Sequence, residues 1–423
     1  VNLLNLSRFF YKGLNRNFKI IRYGNVPDVY NTPILLERYS FASPSIRGFV
    51  LSIQELAKHL LRSDLKIYEM PNNPIIYCGA SANNEREFLF FSQLVLDELP
   101  VNSYAREENL SFVTTKVAKK TKYEYIVSFY LFFLCLLYLF RIKLGPISLK
   151  YLFTYAKVFL NVYASTRRQE VKVCALVVAN DHTDFPVAAS MIMQYLDIPV
   201  VYVQHAEVSD SFPPLDFSVS VLRNQKTLDI YRRIGKVSGD VFIVPRSRKV
   251  QNLSGMFQNA IDKVSAVIYL SSVFNQDAVL RCVDALKTNA DVLNIGIKPH
   301  PRASVDFLRT VSGVTIYDST PSFDHIAIVP NSSVVIELLE AGVPVFQYFE
   351  LDDVGQDYYG FVREGIVPEV SMKDLYDPFW DSFSYDEQWI SKFSAYSPSV
   401  NDSWRDSFPV LIDKMKSYLR SNL

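Results

Sequence analysis

The sequence predicts an α/β protein made of two Rossmann-like domains that face a central cleft. Short apolar runs alternate with segments of helical period along most of the chain, the pattern of parallel strands joined by crossover helices. Polar and charged residues gather just after several of those runs, at what become the carboxyl edges of strands, where open α/β sheets bind ligands. A chain of 423 residues that is 49% hydrophobic has enough apolar surface for two cores. The expected division lies between residues 236 and 237, within the stretch 235–240 where Gly, Ser and Lys interrupt the apolar pattern.

In chain order, residues 18–21 and 74–78 are strand candidates, and residues 87–99 show an amphipathic helical pattern. A stronger strand at 173–179 leads through Asn180-Asp181-His182-Thr183-Asp184 to Pro186, a favourable first helical residue, and to a helix over 187–196. The next strand, 199–203, ends in Gln204-His205-Ala206-Glu207, and 217–222 completes the first sheet. The apolar pattern resumes at 241–244. Strands follow at 266–270, 292–297, 326–329 and 343–348, with a helix over 275–286 and a final helix over 407–419 that is expected to cross back to the first domain.

Lysine plus arginine and aspartate plus glutamate both number 44, so the chain has no net charge that would favour nucleic acid as a partner. Cys78, Cys135, Cys174 and Cys282 are scattered without metal-ligand spacing, which fits a reducing compartment. The first thirty residues mix charges, Asn and Pro and do not read as a signal peptide, so a cytoplasmic location is expected. Residues 125–140 are uncharged and rich in Phe, Leu and Tyr, with Lys116, Lys119, Lys120 and Lys122 before them and Arg141 and Lys143 after. Sixteen residues are short of the about 20 that a span requires. Docking on an anionic membrane surface is therefore expected, with 147–163 as the second helix of a surface hairpin and a buried helix as the alternative.

The densest chemistry follows the strand at 292–297, where Lys298-Pro299-His300-Pro301-Arg302 places three basic side chains on a turn stiffened by proline. About thirty residues on, the strand at 326–329 ends in Asn331-Ser332-Ser333, which opens a helical pattern containing Glu337 and stopped by Ala341-Gly342-Val343-Pro344. Amides and hydroxyls at a helix start suit a phosphate.

Over residues 171–370 this order resembles the carboxyl-terminal half of GT-B glycosyltransferases, in particular the bacterial sialyltransferases and Kdo transferases that use CMP-activated sugars and carry His-Pro and Ser/Thr motifs. The resemblance implies that 1–236 binds the acceptor glycan, of capsule or lipopolysaccharide, and 237–423 the nucleotide-sugar donor. It implies that His300 contacts the donor phosphate and assists its departure, that Pro301 shapes the loop and that Ser332 and Ser333 cradle the phosphate. Glu337 would accept from the ribose hydroxyls, and Lys298, Ser271 and Ser272 would add donor contacts. With His300 and Lys298 meeting the leaving group's charge and no Asp-x-Asp motif evident, the expected chemistry needs no metal and no cofactor besides the donor.

The acceptor hydroxyl needs a base from the facing domain. Asp181 is the first candidate, with Asp184, His205 and Glu207 as rivals at the same sheet edge. The acidic pair followed by glycine that those families carry is absent, its place taken by Asn180-Asp181-His182-Thr183-Asp184. Gln204-His205-Ala206 also resembles the Gln-His-Gly turn of capsule Kdo transferases and the Trp-His-Gly turn of teichoic-acid polymerases, which keeps a CDP-glycerol or CDP-ribitol phosphotransferase open. An NDP-sugar epimerase usually presents Ser-Gly-Gly where this chain has Asn331-Ser332-Ser333.

Overall fold

The computed structural model describes residues 2–16, 46–70, 74–79, 81–95, 98–99, 104–110, 115–140, 146–169, 173–210, 212–245, 263–271, 274–300, 303, 305–352, 357–402 and 404–420. The strand expected at 18–21, the turn residues Ser272, Pro301 and Arg302, and the flanking Arg141 and Lys143 lie outside them.

Among the described residues the first elements are α1 (Leu3–Arg16) and α2 (Ile46–Leu60), followed by β1 (Asp64–Tyr68), β2 (Ile75–Cys78), α3 (Ala82–Leu94), β3 (Tyr104–Asn109) and β4 (Thr115–Lys119). Then come α4 (Lys122–Leu139), α5 (Pro146–Arg168), β5 (Ala175–Val178), α6 (Asp184–Tyr195), β6 (Val200–Val203), β7 (Asp216–Leu222), α7 (Gln225–Ile234) and β8 (Ser238–Ile243). The second half runs β9 (Val264–Tyr269), α8 (Gln276–Thr288), β10 (Val292–Lys298), β11 (Val314–Ile316), β12 (Ile326–Val329), α9 (Val334–Glu340), β13 (Val345–Gln347), α10 (Glu387–Phe393) and α11 (Ser407–Arg420).

The first sheet is parallel throughout, in the order β3-β2-β5-β6-β7-β8. The chain steps outward from β2 to β3 and returns to lay β5 on the other side of β2, so the topological switch falls between β2 and β5. The second sheet is also parallel, in the order β11-β10-β9-β12-β13, with its switch between β9 and β12. These are the two facing Rossmann-like α/β domains expected of a GT-B chain. β2, β5, β6 and β12 are buried along their whole length because helices cover both faces, and this is why they read as unbroken apolar runs. One face of the first sheet packs with α1, α5 and α6, the other with α3 and α11.

Three sequence expectations change. β8 pairs with β7, so the first sheet extends past the boundary drawn at 236/237, and the chain leaves it after Val244. The interruption at 235–240 is the turn into an edge strand, where Gly239 takes a φ of 73°. The helix placed at 87–99 lies at 82–94, started by Ser81, whose side chain accepts from the amide of Asn84. Finally, the second half of the supposed surface hairpin is core: Leu152, Phe153, Tyr155, Phe159 and Tyr163 of α5 are buried between α4, α6 and α1. Gly13 lets α1 approach Tyr155 where a Cβ has no room, and the Tyr155 hydroxyl donates to the carbonyl of Phe10 at 3.1 Å. The closing helix α11 returns to the first domain, setting Leu411, Ile412, Met415 and Leu419 against Val219 and Phe242.

Candidate active site

At the first sheet's switch point, the turn after β5 is organised by Asn180. Its buried Oδ1 accepts from the amides of His182 at 3.0 Å and Thr183 at 2.8 Å and from the Thr183 hydroxyl at 3.0 Å. Those bonds swing Asp181 inward and leave His182 partly exposed. Asp181 is wholly buried: one carboxylate oxygen is 2.8 Å from His182 Nδ1, the other accepts from the Tyr231 hydroxyl at 3.0 Å, and Arg16 Nε donates to its carbonyl at 2.9 Å. Burial alone raises such a carboxyl, but the hydrogen bond and charge of His182, with Arg16, outweigh it and hold Asp181 below the usual carboxylate range. An ionised, saturated carboxylate with no exposed surface orients its neighbour instead of meeting an acceptor. His182 is thus held through Nδ1 by the buried Asp181 carboxylate.

The ring of His205, after β6, lies against that of His182 with centroids 5.4 Å apart and the planes tilted by 39°. Burial, reinforced by His182 and Arg223 and opposed by Asp181, pushes its pKa down to about 3. The ring is therefore neutral at physiological pH and a poor base. Its Nδ1 is buried without a partner among the described residues, a position for a hydrogen bond with a bound molecule. Glu207 is buried and bonded by Asn224 Nδ2 at 3.3 and 3.2 Å. Burial raises its pKa against the pull of Arg223. Asp184 begins α6 and accepts from the amide of Phe185 at 3.0 Å.

On the second sheet, β9 and β10 are in register through Tyr269 and Lys298. Ser271 and His300 thus stand at corresponding positions two residues past that pair, beside the switch. Lys298 Nζ donates to the carbonyl of Pro299 at 3.0 Å, and the carbonyl of His300 accepts from Ala303 at 2.8 Å, closing the turn. On the other side of the switch, Asn331 is fixed by its amide to Asp352 at 3.1 Å and by its Oδ1 to the amide of Tyr358 at 2.9 Å. Ser332 Oγ accepts from Val334 at 3.3 Å, and Ser333 precedes α9 without a capping bond from its side chain. That helix has seven residues and ends where Gly342, at φ 77°, lets the chain reverse. What it offers an anion is hydroxyls and amides more than an extended dipole.

The two edges meet through Arg223, the first residue after β7. Its side chain lies 2.8 Å from the buried Glu87 and 3.9 Å from Glu337 of the second domain, and donates to the carbonyl of His205 at 3.1 Å. Arg86 adds a contact of 3.8 Å with Glu337. Both contacts with Glu337 are charge contacts, longer than hydrogen bonds. Burial lowers the pKa of Arg223, but Glu87, Glu207 and Glu337 outweigh that and raise it. Glu207, Arg223, Asn224, Ile336, Glu337 and Glu340 line a small cavity between the domains.

The structure thus brings Asp181, His205, Glu207 and Glu337 into one connected cluster, and Ser271, Lys298, His300, Ser332 and Ser333 to the facing sheet's switch. His182 and Arg223 were missed. Both lie in the turns after buried strands, the same signal that singled out His205, and Arg223 stands alone directly after an apolar run.

No family model matches the sequence, and no curated protein matches it. Among solved structures the chain is similar to the calicheamicin glycosyltransferase CalG4, at 10% identity and TM-score 0.48 over 83% of this chain and 99% of that one. It is similar to MurG of Acinetobacter baumannii at 11% identity and TM-score 0.40, covering 82% and 100%. It is also similar to the wall teichoic acid polymerase TagF at 11% identity and TM-score 0.37, covering 92% and 99%.

Proposed function

We propose that the protein is a glycosyltransferase that moves an acidic keto-sugar, sialic-acid-like or Kdo, from a CMP-linked donor to a hydroxyl of a bacterial surface glycan. The observation that carries this is the contact chain from Asp181 through His182 and His205 to Arg223 and Glu337. It joins a carboxylate-oriented imidazole on one sheet edge to the helix that follows the serine pair on the other. In this reading the base is His182, with Asp181 as its orienting group. His182 Nε2 takes the acceptor proton as the oxygen attacks the anomeric carbon, the bond from that carbon to the CMP phosphate oxygen breaks, and the electron pair leaves with CMP. Lys298 and His300 offset the charge that develops on the phosphate, and the hydroxyls of Ser332, Ser333 and Ser271 hydrogen-bond to it. Glu337 accepts from the ribose hydroxyls once donor displaces its long contacts with Arg86 and Arg223.

The test is CMP release from CMP-sialic acid and CMP-Kdo set against CDP-glycerol and CDP-ribitol, each with a glycan acceptor. Release from a CMP-sugar alone supports the proposal. The turn Gln204-His205-Ala206 supports the second reading, a CDP-polyol phosphotransferase, and release from a CDP-polyol alone selects it.

A further inference from the structure

Helix α4 has two faces in different surroundings. Val127, Leu131, Leu134 and Cys135 lie in the core of the first domain, whereas Ile126, Phe129, Phe133, Leu137 and the cap residue Phe140 are exposed, Phe129 at 66% and Phe140 at 81%. At 3.6 residues per turn these five fall within about 80° of arc and run for roughly 20 Å. A single exposed phenylalanine is ordinary, but a continuous stripe of this size marks an interaction surface. Its surroundings are basic. Lys116 and Lys119 of β4 and Lys122 at the start of α4 are exposed, and the β1–β4 ribbon sets exposed Lys66 opposite exposed Val117. α2, packed on α4, adds Lys58, and Arg62 follows just after it. The carboxylates of these segments that reach solvent are Glu55, Asp64 and Glu69. Groups set among the basic side chains respond to them. Burial and then the charges of Lys157, Arg62 and Lys58 push His59 below its usual pKa against Glu55, and burial with Lys66 and Arg62 lowers Lys157.

We propose that this face docks on a bilayer containing anionic lipid, with the α4 stripe at the boundary between headgroups and acyl chains and the lysines on the lipid phosphates. Charge complementarity selects this occupant, because a second copy of the chain would bring two like-charged rims together. Spanning is excluded by the opposite face of α4, which is 44% of the helix's apolar window and part of the core. The helix is the one among the described residues long and apolar enough to cross a membrane by length and composition. Lying flat, it satisfies both faces without unfolding the domain.

The full chain is to be sedimented with vesicles of phosphatidylcholine, with or without phosphatidylglycerol, at rising salt. Binding to the anionic vesicles is expected to exceed binding to neutral ones by about tenfold or more and to fall as salt increases. Phe129→Ser with Phe133→Ser, and separately Lys116→Gln with Lys119→Gln and Lys122→Gln, are each expected to lower the bound fraction by a similar factor. All five side chains are exposed, so circular dichroism and Tm should stay unchanged and show that the variants fold. Equal binding to both vesicle types, or variants that sediment like the parent chain, would overturn the proposal. A protein that ignores vesicles but forms a dimer broken by the phenylalanine changes would instead assign the stripe to contact between copies, which also overturns it.

Discussion

His182 Nδ1 lies 2.8 Å from a carboxylate oxygen of Asp181, and the carboxylate is buried while the imidazole is not. A histidine held in this way is fixed in both tautomer and orientation, the arrangement that a positioned general base requires.

His182→Ala is expected to lower the transfer rate by roughly 10² to 10⁴, the range for losing general-base assistance, with donor affinity unchanged by calorimetry. Asp181→Asn keeps the shape and should reduce the rate while leaving donor binding intact. A dead Asp181→Asn enzyme beside an active His182→Ala enzyme would return the base role to Asp181.

The legible parts of the fold were those where local pattern and tertiary burial agree. β5, β6, β9 and β12 read as strands because both sheet faces are covered and no charge interrupts them. The β1–β4 ribbon was not legible, since Lys66, Lys116 and Lys119 break the apolar pattern of two strands that, among the described residues, form a two-stranded sheet. α5 was read as surface for a related reason. Aromatic residues look alike in sequence whether they face lipid or a core, and only the packing of α1 and α6 against it decides. At the site, the residue types after each strand were visible. The burial of Asp181 beside a partly exposed His182 was not, because it depends on which of two adjacent side chains the Asn180 turn directs inward.

His300→Ala is expected to lower turnover by about 10² to 10³, the range for removing one donor to developing charge. His300 is partly exposed at a turn after β10, so Tm should hardly move. A near-normal rate would remove it from the mechanism.

Arg223 contacts two carboxylates, Glu87 in its own domain at 2.8 Å and Glu337 across the cleft at 3.9 Å. Arg223→Met leaves Glu87 buried beside an apolar side chain, a loss on the order of 3–5 kcal/mol when one member of a buried pair is removed. The melting temperature should fall by roughly 10 °C for a domain of this size. Adding Glu87→Gln to the same chain should recover most of the loss, and no recovery would mean that Arg223 acts through its bond to His205 instead.

Glu340 gives the clearest dependence on pH. Burial, opposed by the hydrogen bond from Ser397 at 2.7 Å and reinforced by Glu207, raises its pKa to about 7 from an ordinary 4.5. A carboxyl raised in the folded state binds its proton more tightly there than in the unfolded chain, so stability is greatest where both forms are protonated and declines as pH rises from about 4.5 through about 7. Glu340→Gln keeps a group able to bond Ser397 and removes the titration. Thermal melts of both proteins between pH 5 and pH 8 should therefore converge at the acid end and separate at the alkaline end, the variant melting a few degrees higher at pH 8, which corresponds to about 1–3 kcal/mol. Parallel curves across that range would show that the carboxyl ionises normally in the folded protein and that the cavity between the domains admits water to it.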